Sequence, residues 1–414
     1  MVIFIFPHRE KEQGTWGSIC DQGEERMRIA INAINLTSAG TLVTCKEFLA
    51  ALSSLKTSHH YLVTAPRGFG YEQLRLGGRW EVRFFPGWKK ANPLWRIWFD
   101  FFLFPSMVQN FQADAVMALG NHAPARLPVP VLVLLRNSFY VDTDRYSLPS
   151  LGAKVRKYLE TRVFSRTARH ADIFVVQSNY MKARLASVWK VEEKRICVIP
   201  NAVAGELLAG EETPARELRQ GREEKPSRPS VFDHKMIWLY VSRYYPHKNH
   251  QFILSLAEYL KNLGIDDLLF IVTLDQKLPG VQALLEKIDR QGLSEAVVNA
   301  GELSADQLRK WYQWADGLFF PSYQESFGNP LLEAMRFGLP VCAVDLPYSR
   351  ALCDDSAIYY QVDSVADAAQ KILSLRENPS FRAELARKGR EKFSTFPQWN
   401  EVARSYLSVL EARM

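Results

Sequence analysis

The run Pro321-Ser322-Tyr323-Gln324-Glu325-Ser326-Phe327-Gly328-Asn329-Pro330-Leu331-Leu332-Glu333-Ala334-Met335 concentrates residue types that can hold a hydroxyl-rich, anionic ligand. It follows the apolar stretch Gly317–Phe320 and opens a helical one. Ser326-Phe327-Gly328-Asn329 reads as a turn whose backbone amides point out of a helix N-terminus, with Pro330 suited to the first helical turn. Such a terminus favours anions and hydroxyl oxygens. Glu325 lies just before the helix and Glu333 one to two turns into it, so both carboxylates can face a ligand laid along the helix start. The plainer alternative is that Glu325 caps the helix and Glu333 is a solvated charge. Either glutamate alone fits that alternative, but the fifteen-residue run as a whole does not.

Upstream, Val241-Ser242-Arg243-Tyr244-Tyr245-Pro246-His247-Lys248-Asn249 supplies two cations. Arg243 offers a planar donor fork and Lys248 a point charge, a pair suited to phosphate oxygens. Cations placed where charge builds on a departing diphosphate stabilise the transition state more than the ground state. As an isolated motif the pair could equally be a solvated loop before a helix.

Taken together, the E-S-F-G-N-P run with Glu333 after it resembles the signature of the retaining nucleotide-sugar glycosyltransferases of family 4, which have the GT-B double-Rossmann fold. Arg243 and Lys248 match that family's diphosphate-binding turn. Ile199-Pro200-Asn201-Ala202 matches the end of its first domain, and Gly338-Leu339-Pro340-Val341 follows the signature helix as in the family. The resemblance covers roughly residues 27 to 414 and is strongest in the second half. It implies that Arg243, Lys248 and Glu325 are catalytic. Glu333 would hold the ribose hydroxyls, and Glu325 hydroxyls of the donor sugar beside Ser326, Phe327, Gly328, Asn329 and Leu331. Glu302 and Leu303, after Gly301, would cradle the base. It further implies transfer with retention, with no metal and no cofactor beyond a UDP- or GDP-hexose co-substrate. The usual proposal for the family is front-face attack, so Glu325 is not expected to be a covalent nucleophile.

The first half departs from the family pattern at two places. Where members carry a glycine pair after the first strand, Leu36-Thr37-Ser38-Ala39-Gly40 has Gly40 alone, expected to bind substrate, with an ordinary turn glycine as the plainer alternative. Where many members carry a histidine, Arg136-Asn137-Ser138 offers Asn137, which hydrogen-bonds a hydroxyl but cannot act as a base. His122 is a candidate substitute.

Positioning these residues requires alternating strands and helices. Strands are expected at 27–34, 61–64, 82–86, 115–119, 129–135, 172–176 and 195–200, with helices at 93–104 and 151–169. Residues 205–233 are rich in Glu, Arg, Pro and Gly and read as a linker or insert. The alternation then resumes, with strands at 236–241, 268–273, 296–298, 317–320 and 340–344. Helices are expected at 248–262, 279–291, 304–315, 329–337, 364–375 and 380–391. The fold class is therefore α/β: two Rossmann-like domains in tandem, with a cleft between them at the strand C-termini. The expected boundaries are an extension over 1–26, an acceptor domain over 27–204, a linker over 205–233 and a nucleotide-sugar domain over 234–396. A C-terminal helix over 397–414 would cross back to the first domain, with Trp399 as its anchor.

Composition narrows the remaining options. The chain has 414 residues, 47% apolar and 23% charged, which excludes whole-chain disorder. Five cysteines (20, 45, 197, 342 and 353), odd in number and without C-x-x-C spacing, exclude a disulfide scaffold and point to a reducing compartment. No apolar run reaches the length of a membrane span, so a cytoplasmic protein is expected. Residues 1–200 hold 27 Lys and Arg against 16 Asp and Glu, so the positive excess lies in the first half and suggests an anionic partner. The aromatic run 95–104 and the basic helix 151–170 (Lys154, Arg156, Lys157, Arg162, Arg166, Arg169, His170) could seat that half on an anionic membrane surface beside a glycan or lipid-linked acceptor. The alternative is a sheet-covering helix and a solvated face. No nucleic-acid motif is found, and the acidic second half opposes that class. Asp142-Thr143-Asp144 is a D-x-D metal pattern but also a common turn former. His247 and His250 lack further ligands for zinc. Two other functions share the plan: a sugar-nucleotide-binding protein without activity, and a nucleotide-sugar epimerase.

Overall fold

The apolar runs assemble into two parallel sheets. The structure, a computed structural model, describes residues 26–37, 39–86, 93–142, 151–208 and 227–413. The expected extension before Arg26, Ser38, Thr143, Asp144 and the middle of the expected linker lie outside these. The first unit contains β1 (Arg28–Asn32), α1 (Ala39–Ser54), β2 (His60–Pro66), β3 (Trp80–Phe85), α2 (Pro93–Trp98), α3 (Phe104–Asn110), β4 (Ala115–Ala118), β5 (Val131–Leu134), α4 (Leu151–Thr167), β6 (Ile173–Val176), α5 (Asn179–Trp189) and β7 (Ile196–Val198). After α6 (Gly205–Leu208), the second contains β8 (Met236–Tyr240), α7 (His250–Asn262), β9 (Leu268–Val272), α8 (Pro279–Arg290), β10 (Val297–Asn299), α9 (Ala305–Trp314), β11 (Gly317–Phe320), α10 (Asn329–Arg336), β12 (Val341–Val344), α11 (Pro347–Cys353), β13 (Ala357–Tyr360), α12 (Val365–Glu377), α13 (Pro379–Phe393) and α14 (Trp399–Glu411).

Strand order is β3-β2-β1-β4-β5-β6-β7 in one sheet and β10-β9-β8-β11-β12-β13 in the other. Every strand pair is parallel. Central strands such as β5 (VLVL) and β9 (LLFIV) are buried along their length, because helices cover both faces of a parallel sheet. This is the GT-B architecture. In each sheet the order reverses beside the first strand, between β1 and β4 and between β8 and β11. The loops leaving those strands therefore splay apart and form a crevice.

Alternation along the first sheet splits its core in two. Ile31, Met117, Leu134 and Val175 face α1 and α14, whereas Ala30, Val116, Val133 and Phe174 face the opposite side, with Phe104 and Phe164. Val402, Tyr406, Leu407 and Leu410 of α14 join the first of these cores. Trp399 Nε1 donates to Val203 O at 3.0 Å, fixing the start of α14 beside the chain crossing.

Several expectations change. Residues 93–110 are helical, but Phe99–Leu103 form a π-type turn. The extra residue rotates Asp100 inward, where its carboxylate pairs with Arg96 and accepts from Asn32 Nδ2 at 3.3 Å. Gly205–Leu208 is a helical turn with Leu207 buried in the second core, so these residues do not behave as linker. Helices α5 and α11 and strand β13 were not expected; all three are short or mixed in pattern. Among the described residues no helix is long and apolar enough to cross a membrane.

Candidate active site

The loops leaving β8 and β11, which flank the reversal in the second sheet, carry the expected cations and carboxylates. After β8 the chain runs through Arg243 to a short turn, Pro246–Lys248, closed by Asn249 at φ 56°. Asparagine tolerates this left-handed conformation, and it starts α7. Tyr240 Oη donates to Lys248 O at 2.7 Å, tying the turn back to the strand. After β11, Tyr323 N donates to His247 O at 2.8 Å, which brings the second loop onto the first. Lys248 Nζ then reaches Glu325 Oε1 at 2.5 Å. Arg243, half-buried, has no hydrogen-bond or ion-pair partner among the described residues. Its fork is therefore uncommitted, in the same loop as Lys248.

Gly328, at φ 94°, precedes α10, and Pro330 sits in the first turn. The left-handed glycine lets the chain turn sharply from Glu325 into the helix. Phe327 is buried and its ring meets Phe396 edge-on at 6.1 Å, so only its backbone can face a ligand. Leu331 is fully buried in the core, so its side chain packs inward and is not a contact residue as expected. Glu333, on α10, accepts a hydrogen bond from Tyr312 Oη of α9 at 2.6 Å. Burial pushes its carboxyl up to about 7, against the pull of that hydrogen bond. The residue keeps part of its surface exposed, so it can still meet a ligand. Tyr312 was not foreseen, since nothing in the α9 sequence marks it. Glu302 is exposed and Leu303 half-buried after Gly301, whose φ is 80°. Asn299 Oδ1 accepts from Leu274 N at 2.8 Å and Gly301 N at 3.1 Å, fixing this loop at the end of β10.

Burial holds the two histidines beside Lys248 below the ordinary imidazole range. Burial, with the Lys248 charge, lowers His247 to about 4, while Glu325 acts in the other direction. Burial, then Lys248 and His247, lowers His250 to about 3; its Nε2 shares a 2.8 Å hydrogen bond with Ser242 Oγ. Among the described residues no group of three His, Cys, Asp or Glu is placed to hold a metal.

The first unit faces this site directly. Phe139 meets His247 edge-on at 5.0 Å. Ser178 Oγ donates to Ser326 O at 3.2 Å, Asn201 Nδ2 to Asn329 Oδ1 at 3.0 Å, and Gln324 Nε2 to Asp142 O at 3.0 Å. The first-half candidates fare differently. Gly40 lies inside the first turn of α1, with open space where a Cβ would stand, so it is a helix residue and not a turn glycine. Asn137 Oδ1 accepts from Phe139 N at 3.0 Å, capping a local turn. His122 is also committed: its ring nitrogens meet Tyr140 Oη at 3.0 Å and Thr167 Oγ1 at 3.4 Å. Burial and the Arg96 charge lower it to about 4, which fits a packing role rather than a catalytic substitute. Asp142 accepts from Tyr180 Oη and lies near Arg184, so it is not poised for a metal.

Residues 221–392 match the family described as glycosyl transferases group 1, and residues 39–206 match glycosyltransferase family 4. A D-inositol 3-phosphate glycosyltransferase of Arthrobacter sp. (strain FB24) is 32% identical over 102 residues, 24% of this chain and 24% of that one. The matched stretch thus spans about a quarter of that relative's length. The O-antigen chain mannosyltransferase RfbU of Salmonella typhimurium (strain LT2) is 24% identical over 61% of this chain and 69% of its own. The crystal structure of HepE from Anabaena in complex with UDP-glucose superposes with a TM-score of 0.69 at 16% identity, covering 93% of this chain and all of that one.

Proposed function

This chain belongs to the group 1 glycosyltransferases, and we propose that it transfers a hexosyl unit from a nucleotide diphosphate sugar to a hydroxyl of a glycan or lipid-linked acceptor. The pathway we assign is assembly of a surface polysaccharide or lipopolysaccharide, in keeping with the O-antigen mannosyltransferase among its relatives. The observation that carries the reading is the Lys248–Glu325 pair at the strand-order reversal of the second sheet, with Arg243 uncommitted in the same loop as Lys248. In this reading the diphosphate displaces Glu325 as the partner of Lys248, and Arg243 takes the neighbouring phosphate oxygens. Glu325, released, accepts hydroxyls of the donor sugar, and Glu333 accepts those of the ribose. Glu302 and Leu303 hold the base, and the amides from Ser326 to Asn329 face the sugar.

Transfer proceeds with retention. The bond from the anomeric carbon to the diphosphate oxygen breaks as the acceptor oxygen bonds the same face, and the acceptor proton passes to the departing phosphate. Lys248 and Arg243 stabilise the charge that develops there. The first-unit groups that close over the site, Phe139 and Ser178, exclude water from the reacting centre. No metal or further cofactor takes part, and a UDP- or GDP-hexose is the co-substrate; HepE was crystallised with UDP-glucose.

A peripheral location on the inner face of the cytoplasmic membrane is the second part of the proposal. The aromatic run divides: Phe99 and Phe104 are fully buried, whereas Trp98 and Phe102 are 48% and 65% exposed. Arg162 and Arg166 are exposed on α4, which covers the same sheet face, and Arg169 is exposed in the turn that follows it. Exposed apolar side chains and cations on segments that cover one sheet face suit an anionic leaflet. The side chains of Lys154, Arg156 and Lys157 lie outside the described residues.

The test of the transferase reading avoids the unknown acceptor. UDP, GDP, ADP, CDP and dTDP are titrated calorimetrically into the whole chain and its Arg243→Ala variant. Micromolar binding of one nucleotide, lost in the variant, supports the donor site. A folded protein that binds none of them sinks it, and binding without transfer to any glycan leaves a sugar-nucleotide-binding protein.

A further inference from the structure

Among the described residues of the first unit, Arg136 and Gln177, like Asn35, are polar side chains with buried atoms that lack partners. Arg136 and Gln177 follow β5 and β6, whose register pairs Val133 with Phe174 and Leu134 with Val175. Continuing that register sets Arg136 beside Gln177, on the sheet face of Leu134 and Val175, toward α1. Arg136 Nη1 donates to Thr41 O at 3.1 Å in the first turn of α1, but its Nε is buried with no partner. Gln177 is 2% exposed, and neither its amide nitrogen nor its amide oxygen is hydrogen-bonded. Leaving such groups unpaired is costly unless something else meets them.

The charge there is also uncompensated. No carboxylate pairs with Arg136 among the described residues, and the first turn of α1 holds no acidic side chain. A guanidinium at the positive end of a sixteen-residue helix is unfavourable without an anion between them. Burial raises the Cys45 thiol to about 11 while Arg136 and Lys46 pull against it, so Lys46 adds a second cation to the same neighbourhood. The place adjoins the candidate donor site. Ser178, next to Gln177, touches Ser326, and Phe139, three residues beyond Arg136, touches His247.

We propose that Arg136 and Gln177 form an anion-binding subsite of the first domain that takes a phosphate or carboxylate group carried by the acceptor. The guanidinium and the Gln177 amide nitrogen donate to the anion, and the Gln177 amide oxygen accepts from a neighbouring hydroxyl. The acceptor is thereby an acidic glycan or a phosphorylated glycolipid. The inference rests on the reading of the second domain as the donor side.

Inorganic phosphate is the probe, titrated calorimetrically into the whole chain and into Arg136→Gln, Gln177→Leu and Arg243→Ala. Two sites are expected in the unaltered protein, the donor one lost in Arg243→Ala and the other weakened at least about tenfold in Arg136→Gln. Arg136→Lys restores part of that loss. Gln177→Leu should weaken the same site about 3- to 10-fold while leaving the unfolding midpoint unchanged or higher, because an unpaired amide is replaced by an apolar group of similar size. That combination is not what a structural glutamine gives, and it stands even if Arg136→Gln fails to fold. Competition by acetate assigns the subsite to carboxylates as well; phosphate binding that acetate leaves unchanged restricts it to phosphates. A single phosphate site, abolished by Arg243→Ala and untouched by Gln177→Leu, overturns the proposal. So does displacement of both phosphates by one nucleoside diphosphate, which would place Arg136 on the donor. An unaltered protein that shows only the site weakened by Gln177→Leu, and none that depends on Arg243, counts against the donor reading and not against this one.

Discussion

Lys248 Nζ and Glu325 Oε1 lie 2.5 Å apart across 77 positions of sequence, joining the loop after β8 to the loop after β11. The lysine and glutamate side chains are only 17% and 12% exposed, so each largely depends on the other for compensation. A ligand that takes over the lysine must therefore give the glutamate new partners. A diphosphate with an attached sugar does both.

Lys248→Ala removes the cation at the leaving group and leaves Glu325 uncompensated. Turnover with the donor identified by titration should fall by about 10²-fold or more. Stability should drop by roughly 1–3 kcal/mol in chemical denaturation, since a largely buried carboxylate has lost its partner. Undiminished turnover would remove Lys248 from the site.

Glu333 gives a pH dependence with a definite sign. Burial raises its carboxyl from 4.5 to about 7. A folded-state value above the unfolded one means that its favourable contribution is complete below about pH 4.5 and fades as the pH rises through 7. Glu333→Gln should therefore be relatively more stable than the unaltered chain at pH 8 than at pH 5. Nucleotide affinity should rise through pH 7 as the carboxylate forms and can accept ribose hydroxyls. In Glu333→Gln the residual pH dependence should be that of the nucleotide alone. Identical pH profiles for the two proteins would contradict the ribose role.

Gly328→Ala tests the turn that opens α10. The residue sits at φ 94°, and an added Cβ would stand 3.0 Å from Leu331 Cδ1. A cost of roughly 1–3 kcal/mol is expected from the backbone conformation, with weaker nucleotide binding because the amides of Ser326 to Asn329 shift. A variant with unchanged denaturation midpoint and unchanged affinity would show that the turn does not need the glycine.

Trp399→Ala removes an indole that is 9% exposed and its hydrogen bond to Val203 O. A loss of about 3–5 kcal/mol is expected, as for other buried large-to-small changes. Trp399→Phe should recover most of it, which separates packing from the hydrogen bond. An alanine variant as stable as the parent would mean that α14 is held by Tyr406 and Leu410 without its anchor.

The double variant Trp98→Ser, Phe102→Ser should lose binding to anionic vesicles at low salt, with the fold intact by circular dichroism. Each cation near such a surface contributes about 1 kcal/mol, so binding should also fade as salt is added. A parent protein that ignores anionic vesicles ends the membrane reading.

Much of this molecule could be read from its residues. The apolar runs at β1, β5, β8, β9 and β11 announce buried parallel strands, and the Glu325–Glu333 run announces the turn into α10, because both are local patterns with a fixed period. Short or mixed segments such as α5, α11 and β13 carry no such period, and tertiary contacts decide them. Gly40 shows the same limit: one glycine after a strand suits a turn or a helix start equally, and the start of α1 settles which. At the site, sequence determines the residue types at Arg243, Lys248, Glu325 and Glu333. Only the strand order sets β8 beside β11 and so brings Lys248 to Glu325. Only the packing of α9 on α10 gives Glu333 its Tyr312 partner and its raised carboxyl. The commitment of His122 and Asn137 to local hydrogen bonds, and the unpaired atoms of Arg136 and Gln177, depend on neighbours from distant strands. Side-chain chemistry is written along the chain, but pairing, burial and charge balance are properties of the space that the sheets enclose.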